Sequence, residues 1–544
     1  MLLIVPNVCL AFTEQWSALS KTTGIVLPLG IYYLIAACSE KVGRTVLWCI
    51  PLMIYSAFQI VLIYLYGESI IAIDMFLNVF TTNPGEVAEL LGNLITAIIT
   101  VIVLYVPAIV IAVYAAVKSR RASAQALRHA RITGGSLSAA GIVLMILCYA
   151  TVPGYRSERQ LFPVNVIYNN AAAVNRARLL SHYHDTSSQF SYHAASTRPA
   201  DDREIYVLVI GETSRADNWQ LAGYGRPTNP RLAGRYDIIF FDRALSQSNT
   251  THKSVPMIMS YLDAENFGDS IYSTKGILSA YNDAGYATAF LSNQKRNRSF
   301  IEFFGNEADT TVYITDAPGL HLDEELLPHL NEYIRSHPTG KIMVVLHTYG
   351  SHFNYKERYS PDMERFTPAS RSEAAAENRD QLINAYDNTI SYTDDFLNSV
   401  FTLLEGQNCP AAAIYLSDHG EDIFDDERNR FLHASPTPTF TQLHVPMLVW
   451  TSSRHRELYP ALTRRIASHA SDDISATSTV FPTLLRLSGL DSPYLISADA
   501  LTDSAYRNSP RLYITDYNEA VPLSESGLRE PDFRRFRERG ISYR

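Results

Sequence analysis

Two polar segments that follow apolar runs carry the residue types of a metal site. Glu212 follows the apolar run 205–210 and the turn residue Gly211, and Asp418 and His419 come soon after the run 411–416. Such runs are typical of buried parallel strands, and α/β sheets bind ligands beyond the carboxyl ends of their strands. Carboxylate oxygens with an imidazole nitrogen suit zinc. We therefore predict a metal site, against the alternatives that Glu212 caps a helix or that the Asp-His pair is structural.

A cluster of hydroxyl side chains at residues 246–251 precedes Pro256 and indicates the start of a helix. A hydroxyl or a phosphate at a helix N-terminus is stabilised by the helix dipole. If a zinc ion also contacts that oxygen, one of these threonines becomes a nucleophile near neutral pH. The alternative is that the cluster only caps the helix.

The strands and helices that carry these residues belong to the second part of a two-part chain. The chain has 544 residues, and its apolar residues are concentrated in residues 1–152. Recurring apolar runs of roughly 20 residues predict membrane spans rather than core helices. We predict five spans, at residues 1–12 (extendable to 16), 23–38, 45–66, 93–117 and 133–152, the last opened by Gly134 and Gly135.

Basic loops predict the orientation of these spans. The loop between the fourth and fifth spans should be cytoplasmic, because it carries Lys118, Arg120, Arg121, Arg128 and Arg131. All residues after 152 then lie outside the cytoplasmic membrane, and no cleavable signal peptide is evident. Residues 74–89 are either an amphipathic, acidic stretch on the membrane surface or a solvated loop helix.

The soluble part reads as a connector, an α/β domain and a tail. In the connector, residues 153–203, we expect helical pieces at 155–162 and 169–182 and a flexible linker at 187–202. From residue 204 to 520, strands alternate with helices, which predicts a mostly parallel sheet. The predicted strands are 205–210, 238–241, 287–291, 311–314, 342–346, 411–416, 447–451 and 512–515. The predicted helices are 276–284, 324–336, 372–404 and 478–488. Residues 521–544 read as a polar tail with little functional content.

Net charge and cysteine content bear on the possible partners and on disulfide formation. The net charge of −9 gives no support to a nucleic-acid partner. Cys409 is the one cysteine of the soluble part, so no disulfide can form within that part.

Several motifs together resemble those of the membrane-bound phosphoethanolamine transferases. These enzymes modify lipid A or the lipopolysaccharide core and include the mobile colistin-resistance enzymes. The matching segments are Gly211-Glu-Thr-Ser-Arg215, Asn218, Gly223-Tyr224, Thr228-Asn-Pro230, Thr251 before Ser254-Val-Pro256, Leu346-His-Thr-Tyr-Gly-Ser-His352, Asn384 to Ile390, Ser417-Asp-His-Gly-Glu421, Phe431-Leu-His433 and His444-Val-Pro446. The resemblance extends from near residue 1 to about residue 490.

The resemblance implies an alkaline-phosphatase/sulfatase-like catalytic domain with a zinc-dependent site. By position, one zinc ion would be bound by Glu212, Thr251, Asp418 and His419. Thr251 would take phosphoethanolamine from phosphatidylethanolamine as a phosphothreonine ester. His352 and His433 would grip the phosphate, assist proton transfer or bind a second zinc ion, and Asn249 and Lys295 would contact substrate.

The resemblance further implies a monomer in the bacterial inner membrane, in contact with membrane lipids, with its catalytic domain in the periplasm and lipid A or another lipopolysaccharide-type acceptor. Two departures leave the acceptor open: the soluble part lacks the disulfides of the lipid A enzymes, and the segment near Ser478 lacks the family's Ser-His-Asp-Asn pattern. Lys295 is alternatively part of a solvated loop, and His347 alternatively only orients a neighbour. The competing functions are a phosphodiesterase or sulfatase-like hydrolase, a glycerol-phosphate transferase and a non-catalytic membrane scaffold.

Overall fold

The computed structural model describes residues 2–81, 94–200, 202–369, 375–504, 506–507 and 511–544, with the side chains of residues 78–81 excepted. The chain divides into two compact units. The first unit comprises Met1–Phe80, Pro84–Ala177 and Phe424–Phe431, and the second comprises Thr81–Asn83, Arg178–Ile423 and Leu432–Arg544. The division at residues 177–178 falls within the predicted connector, residues 153–203.

Apolar helices dominate the first unit. The helices from the amino terminus onward are Val5–Thr13, Ala18–Ala36, Val42–Trp48, Ile50–Tyr66, Ile73–Thr81, Ile95–Val117, Ala124–Thr151, Ser157–Gln160 and Val164–Ser181. By length and composition, Ala18–Ala36, Ile95–Val117 and Ala124–Thr151 could each cross a bilayer, and the pair Val42–Trp48 and Ile50–Tyr66, bent by 53°, could be a fourth span. The predicted number of five spans is therefore not confirmed among the described residues.

The last long helix begins earlier than the sequence predicts. Its first residue is Ala124 rather than residue 133, and Gly134 lies inside it instead of opening it. A Cβ atom on Gly141, further along the same helix, would lie only 2.6 Å from the Cα atom of Leu27. Glycines here permit close approach of two apolar helices, which is a common use of small residues in membrane proteins.

The acidic stretch predicted at residues 74–89 is described only in part. It begins within the helix Ile73–Thr81, where Asp74 forms an ion pair with Arg176 at 2.9 Å. Residues 82–93 lie outside the described residues, so the location of this stretch at the membrane surface stays a prediction.

Seven strands form the central sheet of the second unit. In chain order they are β1 (Glu204–Gly211), β2 (Ile238–Phe241), β3 (Ala287–Ser292), β4 (Thr310–Tyr313), β5 (Lys341–His347), β6 (Ala411–Ser417) and β7 (Met447–Thr451). They are arranged in the order β2-β7-β6-β1-β5-β3-β4, and only β7 runs antiparallel to its neighbours. Strands β1, β5 and β6 are buried along their whole length, as continuous apolar runs predict. The prediction of a mostly parallel α/β sheet is confirmed.

Helices and short strands surround this sheet. The helices are Tyr183–Thr186, Pro230–Ala233, Thr251–Ile258, Ile277–Asp283, Phe300–Gly305, Leu326–Ser336, Arg379–Glu405, Phe440–Leu443, Ser453–Leu458, Pro460–Ser468, Ala476–Leu487 and Glu530–Arg539. The short strands are Ala195–Ser196, Ala244–Leu245, Asp422–Ile423, Phe431–Leu432, Ile474–Ser475, Leu490–Asp491, Leu512–Ile514 and Ala520–Pro522. The strand predicted at 512–515 therefore lies outside the central sheet, paired with Ala520–Pro522. The helix predicted at 372–404 begins at Arg379, and residues 370–374 lie outside the described residues.

Residues 187–202 are expected to be a flexible linker, but residues 187–200 are anchored to the second unit. Tyr192 is completely buried in its core. Ala195–Ser196 forms a short strand, and Arg198 forms an ion pair with Glu204 at 3.1 Å. The mostly polar composition of this segment predicts a flexible linker. It does not reveal the contacts of Tyr192 and Arg198, which fix the segment.

The carboxyl-terminal residues, expected to be a polar tail, also pack on the second unit. They form the helix Glu530–Arg539, in which Phe536 is completely buried. Arg539 donates a hydrogen bond to Asp217 Oδ1 at 2.7 Å. The expectation of a polar tail is therefore wrong. It rested on the many charged residues around Phe536, and composition does not reveal that a single aromatic side chain is buried.

We expect Phe536→Ala to destabilise the second unit by about 3–5 kcal/mol, because it removes a buried aromatic ring and leaves a cavity. The ring packs edge-on against Phe440, with 4.7 Å between the ring centroids. The thermal unfolding midpoint of the purified protein measures the effect, with Arg534→Ala, an exposed change on the same helix, as the control. Equal midpoints for the two variants would contradict the packing described here.

Candidate metal centre and active site

Two neighbouring strand ends bring predicted metal ligands together. Strands β1 and β6 pair in parallel with Gly211 opposite Ser417, so Glu212 and Asp418 leave the sheet side by side. The backbone N–H of Asp418 donates to Gly211 O at 3.1 Å, and the N–H of Thr213 donates to Asp418 Oδ1 at 3.2 Å. The two carboxylates therefore lie at the edge of the sheet where α/β proteins bind ligands.

Thr251 is the first residue of the helix that ends at Ile258, and its hydroxyl lies between the predicted ligands. Thr251 Oγ1 is 3.0 Å from Glu212 Oε1 and 3.0 Å from His419 Nε2. The positive end of the helix dipole lies at the same place. Pro256, expected to lie early in this helix, is its sixth residue, and the helix ends soon afterwards. Proline inside a helix removes a backbone donor, which suits such a short helix.

The spacing of these donor atoms fits a tetrahedral zinc ion. His419 Nε2 lies 3.4 Å from Glu212 Oε1 and 3.3 Å from Asp418 Oδ2. Oxygen and nitrogen ligands about 2.0–2.1 Å from a tetrahedral ion are themselves about 3.3–3.4 Å apart. The side chains of Glu212, Asp418 and His419 are almost completely buried, and buried charges require pairing or a metal. Thr251 Oγ1, Glu212 Oε1 and Asp418 Oδ2 thus all lie within 3.4 Å of His419 Nε2.

Burial and the charges of neighbouring side chains shift the pKa values of Asp418 and His419. Burial raises the pKa of Asp418. Burial alone would lower the pKa of His419, but the carboxylates of Asp418 and Glu212 outweigh it, so that this pKa is raised. A divalent cation at this point would stabilise the carboxylates directly and displace protons from the ligands.

His433 lies beside the predicted metal ligands and contacts the side chain of Glu421, for which the sequence predicts no role. Its ring centroid is 4.3 Å from that of His419, and the metal-binding atoms of Glu212, His419 and His433 lie within 4.8 Å of one another. Glu421 Oε1 is 3.2 Å from His433 Nδ1, and Glu421 Oε2 accepts a hydrogen bond from the Tyr355 hydroxyl at 2.7 Å. Burial raises the pKa of Glu421 to about 8. Glu421 belongs to one of the motifs, but its partners are distant in sequence, so its role could not be read from the chain.

His352 also reaches this cluster. Its ring centroid is 5.8 Å from that of His433, and its Nδ1 atom donates to Phe353 O at 2.5 Å, since a carbonyl can only accept. Burial lowers the pKa values of both histidines to about 3. Both imidazoles are therefore neutral near pH 7. Because Nδ1 carries the proton of His352, its Nε2 atom can accept a proton or bind a cation.

The loop after β5 packs directly on the backbone of Glu212. Gly350 has a φ of +54°, and a Cβ atom there would lie 2.7 Å from Glu212 O. The N–H of Ser351 donates to the same oxygen at 2.9 Å. The buried carboxylate of Asp323 accepts hydrogen bonds from the N–H groups of Tyr349 at 2.8 Å and Gly350 at 3.0 Å. Asp323 is a positioning residue that the sequence analysis missed, because nothing near it in the chain belongs to a motif.

The helix Arg379–Glu405 holds the segment that follows Glu212. The Tyr386 hydroxyl donates to Thr213 O at 2.7 Å and accepts from the N–H of Arg215 at 2.8 Å. This contact gives a positioning role to one residue of the block Asn384 to Ile390, for which the sequence alone indicates no chemistry.

Lys295, expected to contact substrate, is exposed. The preceding residue, Gln294, instead reaches the ligands, since its Nε2 atom donates to Glu212 Oε2 at 3.1 Å. The basic residues of the segment 292–298 favour Lys295 as the substrate contact. Nothing in the sequence distinguishes Gln294 from the other polar residues of this segment.

Asn249 is almost completely buried, and its side chain forms hydrogen bonds within the protein. Its Nδ2 atom donates to Ser435 O at 2.8 Å and to Gln442 Oε1 at 2.7 Å. Its Oδ1 atom accepts from the Tyr513 hydroxyl at 2.7 Å. The geometry therefore supports positioning of the segment after His433, and substrate binding by Asn249 stays a prediction.

Two further histidines of the motifs have structural partners. His347 Nδ1 lies 3.1 Å from Ser292 Oγ, consistent with the alternative that it orients a neighbour. His444 Nδ1 lies 2.9 Å from Asp217 Oδ2, and its Nε2 atom donates to Asp242 O at 2.8 Å.

Comparison with known proteins agrees with this architecture. The family described as Sulfatase matches residues 204–490, and the family described as Phosphoethanolamine transferase EptA/EptB matches residues 26–177. The phosphoethanolamine transferase EptA of Salmonella typhimurium is 29% identical over 486 residues, which is 85% of each chain.

Solved structures show the same fold. The integral membrane protein lipooligosaccharide phosphoethanolamine transferase A of Neisseria meningitidis superposes with a TM-score of 0.73 at 21% identity, covering 92% of this chain and 97% of that one. The periplasmic domain of EptC from Escherichia coli in complex with Zn has a TM-score of 0.54 at 21% identity, covering 61% of this chain and 97% of that one. The chain therefore belongs to the sulfatase family, and its amino-terminal part matches the phosphoethanolamine transferase EptA/EptB family.

Proposed function

We propose that this protein transfers phosphoethanolamine from phosphatidylethanolamine to lipid A or another lipopolysaccharide or glycan acceptor, through a phosphothreonine at Thr251. The observation that carries the proposal is the hydroxyl of Thr251, which lies 3.0 Å from both Glu212 Oε1 and His419 Nε2 at a helix N-terminus. The names of the Salmonella and Neisseria relatives support the transferred group, and that of the Neisseria relative supports a lipooligosaccharide-type acceptor.

Glu212, Thr251, Asp418 and His419 would hold one zinc ion, and their spacing and burial support this assignment. When bound, zinc lowers the pKa of a coordinated hydroxyl and stabilises negative charge on phosphoryl oxygens. The choice of metal is supported by the E. coli EptC domain, whose structure was solved in complex with Zn. His433 is the residue best placed to contribute to a second ion, because it lies close to His419 and Glu212.

The reaction divides into two phosphoryl transfers. In the first, Thr251 Oγ1 attacks phosphorus, the bond from phosphorus to the glycerol oxygen breaks, and that oxygen takes a proton to leave as diacylglycerol. In the second, an acceptor hydroxyl oxygen attacks phosphorus, the bond from phosphorus to Thr251 Oγ1 breaks, and Oγ1 takes up a proton as the acceptor hydroxyl loses its own. The hydrogen bond from the Thr251 hydroxyl to Glu212 directs the proton away from the attacking lone pair. The neutral His352, whose proton is on Nδ1, can accept a proton at Nε2 and relay it to the leaving oxygen, and His433 can hydrogen-bond to a phosphoryl oxygen.

We place the protein in the bacterial inner membrane as a monomer, with the second unit in the periplasm. The apolar helices of the first unit and the basic residues at 118–131 support this placement. Donor and acceptor would both be lipids of the same membrane or exposed at its surface.

A hydrolase of the same family is the main alternative, because water could take the place of the acceptor. A sulfatase would require a modifiable Cys or Ser in a Cys/Ser-x-Pro-x-Arg context, whereas Thr251 is followed by His-Lys-Ser-Val-Pro. A glycerol-phosphate transferase would share the threonine nucleophile and differ in the donor.

Incubation of the purified protein with phosphatidylethanolamine tests the proposal. We expect metal-dependent release of diacylglycerol and a phosphoethanolamine adduct on the peptide that contains Thr251, measured by mass spectrometry, with both signals lost in the presence of a chelator. Adding lipid A should discharge the adduct onto the acceptor. Free phosphoethanolamine without acceptor product would indicate the hydrolase, and a signal only with phosphatidylglycerol would indicate the glycerol-phosphate transferase.

A further inference from the structure

Gln294 is a polar side chain that touches the candidate metal centre from the loop after β3. Its Nε2 atom donates to Glu212 Oε2 at 3.1 Å and to Thr348 O at 2.9 Å. Gln294 carries no charge and does not contact the nucleophile, so the reaction proposed above leaves it without a role. Its position between a ligand carboxylate and the loop after β5 nevertheless requires an explanation.

The backbone of Gln294 is held on both sides. Its N–H donates to Ser292 Oγ at 3.0 Å, and its carbonyl oxygen accepts from the Thr315 hydroxyl at 3.0 Å. With the backbone fixed and one hydrogen bond of Nε2 directed to Thr348, the other amide hydrogen is aimed at Glu212 before any ligand binds. The side chain is thus pre-oriented towards the carboxylate and does not depend on it alone for its conformation.

The two oxygens of the Glu212 carboxylate have different partners. Oε1 accepts hydrogen bonds from the hydroxyls of Thr251 at 3.0 Å and Thr213 at 2.9 Å, and it lies 3.4 Å from His419 Nε2. Oε2 accepts from Gln294. A carboxylate can rotate about its last side-chain torsion, which has only broad preferences, and nothing in its own bonding distinguishes the two oxygens. The hydrogen bond from Gln294 therefore helps to fix the plane of the carboxylate, so that the oxygen opposite Gln294 faces the nucleophile.

We propose that Gln294 is a positioning residue that holds one oxygen of Glu212 and so fixes the plane of the carboxylate, with the other oxygen facing zinc and Thr251. The proposal rests on the zinc site of the proposed function. Groups that hydrogen-bond to ligating carboxylates fix the ligand's orientation, and their loss typically costs about 10–100-fold in metal affinity or activity. Without the amide donor, Glu212 could turn or bind the ion through both oxygens, and the ligand geometry around Thr251 would be lost.

We expect Gln294→Met to weaken zinc binding by about 10–100-fold, because methionine keeps the length of the side chain but removes the donor. The measurement is a competition titration of metal-stripped full-length protein with zinc alone against a fluorescent chelator. Gln407→Met is the matched control, because Gln407 makes a single hydrogen bond to Leu403 O at the end of the helix Arg379–Glu405. The visible spectrum of the Co²⁺-substituted protein should change with Gln294→Met and not with the control, since it reports the ligand geometry.

Gln294→Glu is the second variant, in case Gln294→Met does not fold. It keeps the shape of the side chain but places an acceptor against Glu212 Oε2, so it should weaken zinc binding at least as much. Unchanged zinc affinity and Co²⁺ spectrum in either folded variant would overturn the positioning role, and so would an equal loss in Gln407→Met. A wild-type protein that binds no zinc would instead overturn the proposed function, so the two failures are distinguishable.

Discussion

Thr251→Ala is expected to lower turnover by about 10⁴-fold or more while zinc stays bound. Removal of a catalytic nucleophile from an enzyme has effects of this size or larger. Zinc should remain because Glu212, Asp418 and His419 still supply three ligands, and catalytic zinc sites commonly have three protein ligands. Diacylglycerol release from phosphatidylethanolamine measures turnover, and the metal content of the purified variant measures zinc.

Thr250→Val is the control for this experiment. The Thr250 hydroxyl contacts Ser248 Oγ at 3.1 Å and none of the predicted ligands, and valine keeps the shape of the side chain. The control should therefore retain both diacylglycerol release and the adduct. If Thr251→Ala stays active while Thr250→Val does not, the nucleophile is Thr250, and the assignment made here is wrong.

Asp418→Asn is expected to remove zinc and with it the activity. Asp418 Oδ1 accepts from the N–H groups of Thr213 and His419, at 3.2 Å and 2.8 Å, and Oδ2 accepts from the Ser254 hydroxyl at 3.2 Å. Asparagine lacks the negative charge and replaces one acceptor oxygen by a donor. Because Asp418 would be a direct ligand, we expect zinc affinity to fall by more than about 100-fold, beyond the loss typical of residues that only support a ligand.

The zinc content after removal of free metal, together with turnover, measures the effect of Asp418→Asn. Asp362→Asn makes the same chemical change at an exposed position and should leave both quantities unchanged. Excess zinc should partly restore turnover in the variant if the loss is one of affinity. Full zinc content in Asp418→Asn would show that the ion lies elsewhere in the cluster, nearer to His433.

Much of the catalytic fold could be predicted because it depends on local patterns. The run 205–210 is apolar at every position, which is sufficient to predict a strand buried on both faces, and the observed strand Glu204–Gly211 extends it by one residue at each end. The strand Met447–Thr451 was predicted with its observed bounds, but its antiparallel direction was not, because direction depends on the connection between strands.

The membrane helices were harder to delimit, because hydropathy does not register helix ends or bends. The helix Ala124–Thr151 includes polar and basic residues before the apolar run, so the run alone predicts a start nine residues too late. The helices Val42–Trp48 and Ile50–Tyr66 read as one span in the sequence, yet they meet at a 53° bend next to Pro51.

Residue types and short-range spacing were enough to indicate the chemistry of this protein. These features are the strand ends that carry Glu212, Asp418 and His419, a threonine at the start of a helix, and an apolar segment, residues 1–152, that suits a membrane. How the ligands are held became visible in the folded chain alone, through Gln294 on Glu212, Glu421 on His433, and Asp323 on the loop after β5. Each of these contacts joins residues far apart in the chain or on different strands, and a hydrogen bond across such a separation exists only once the sheet has brought its partners together.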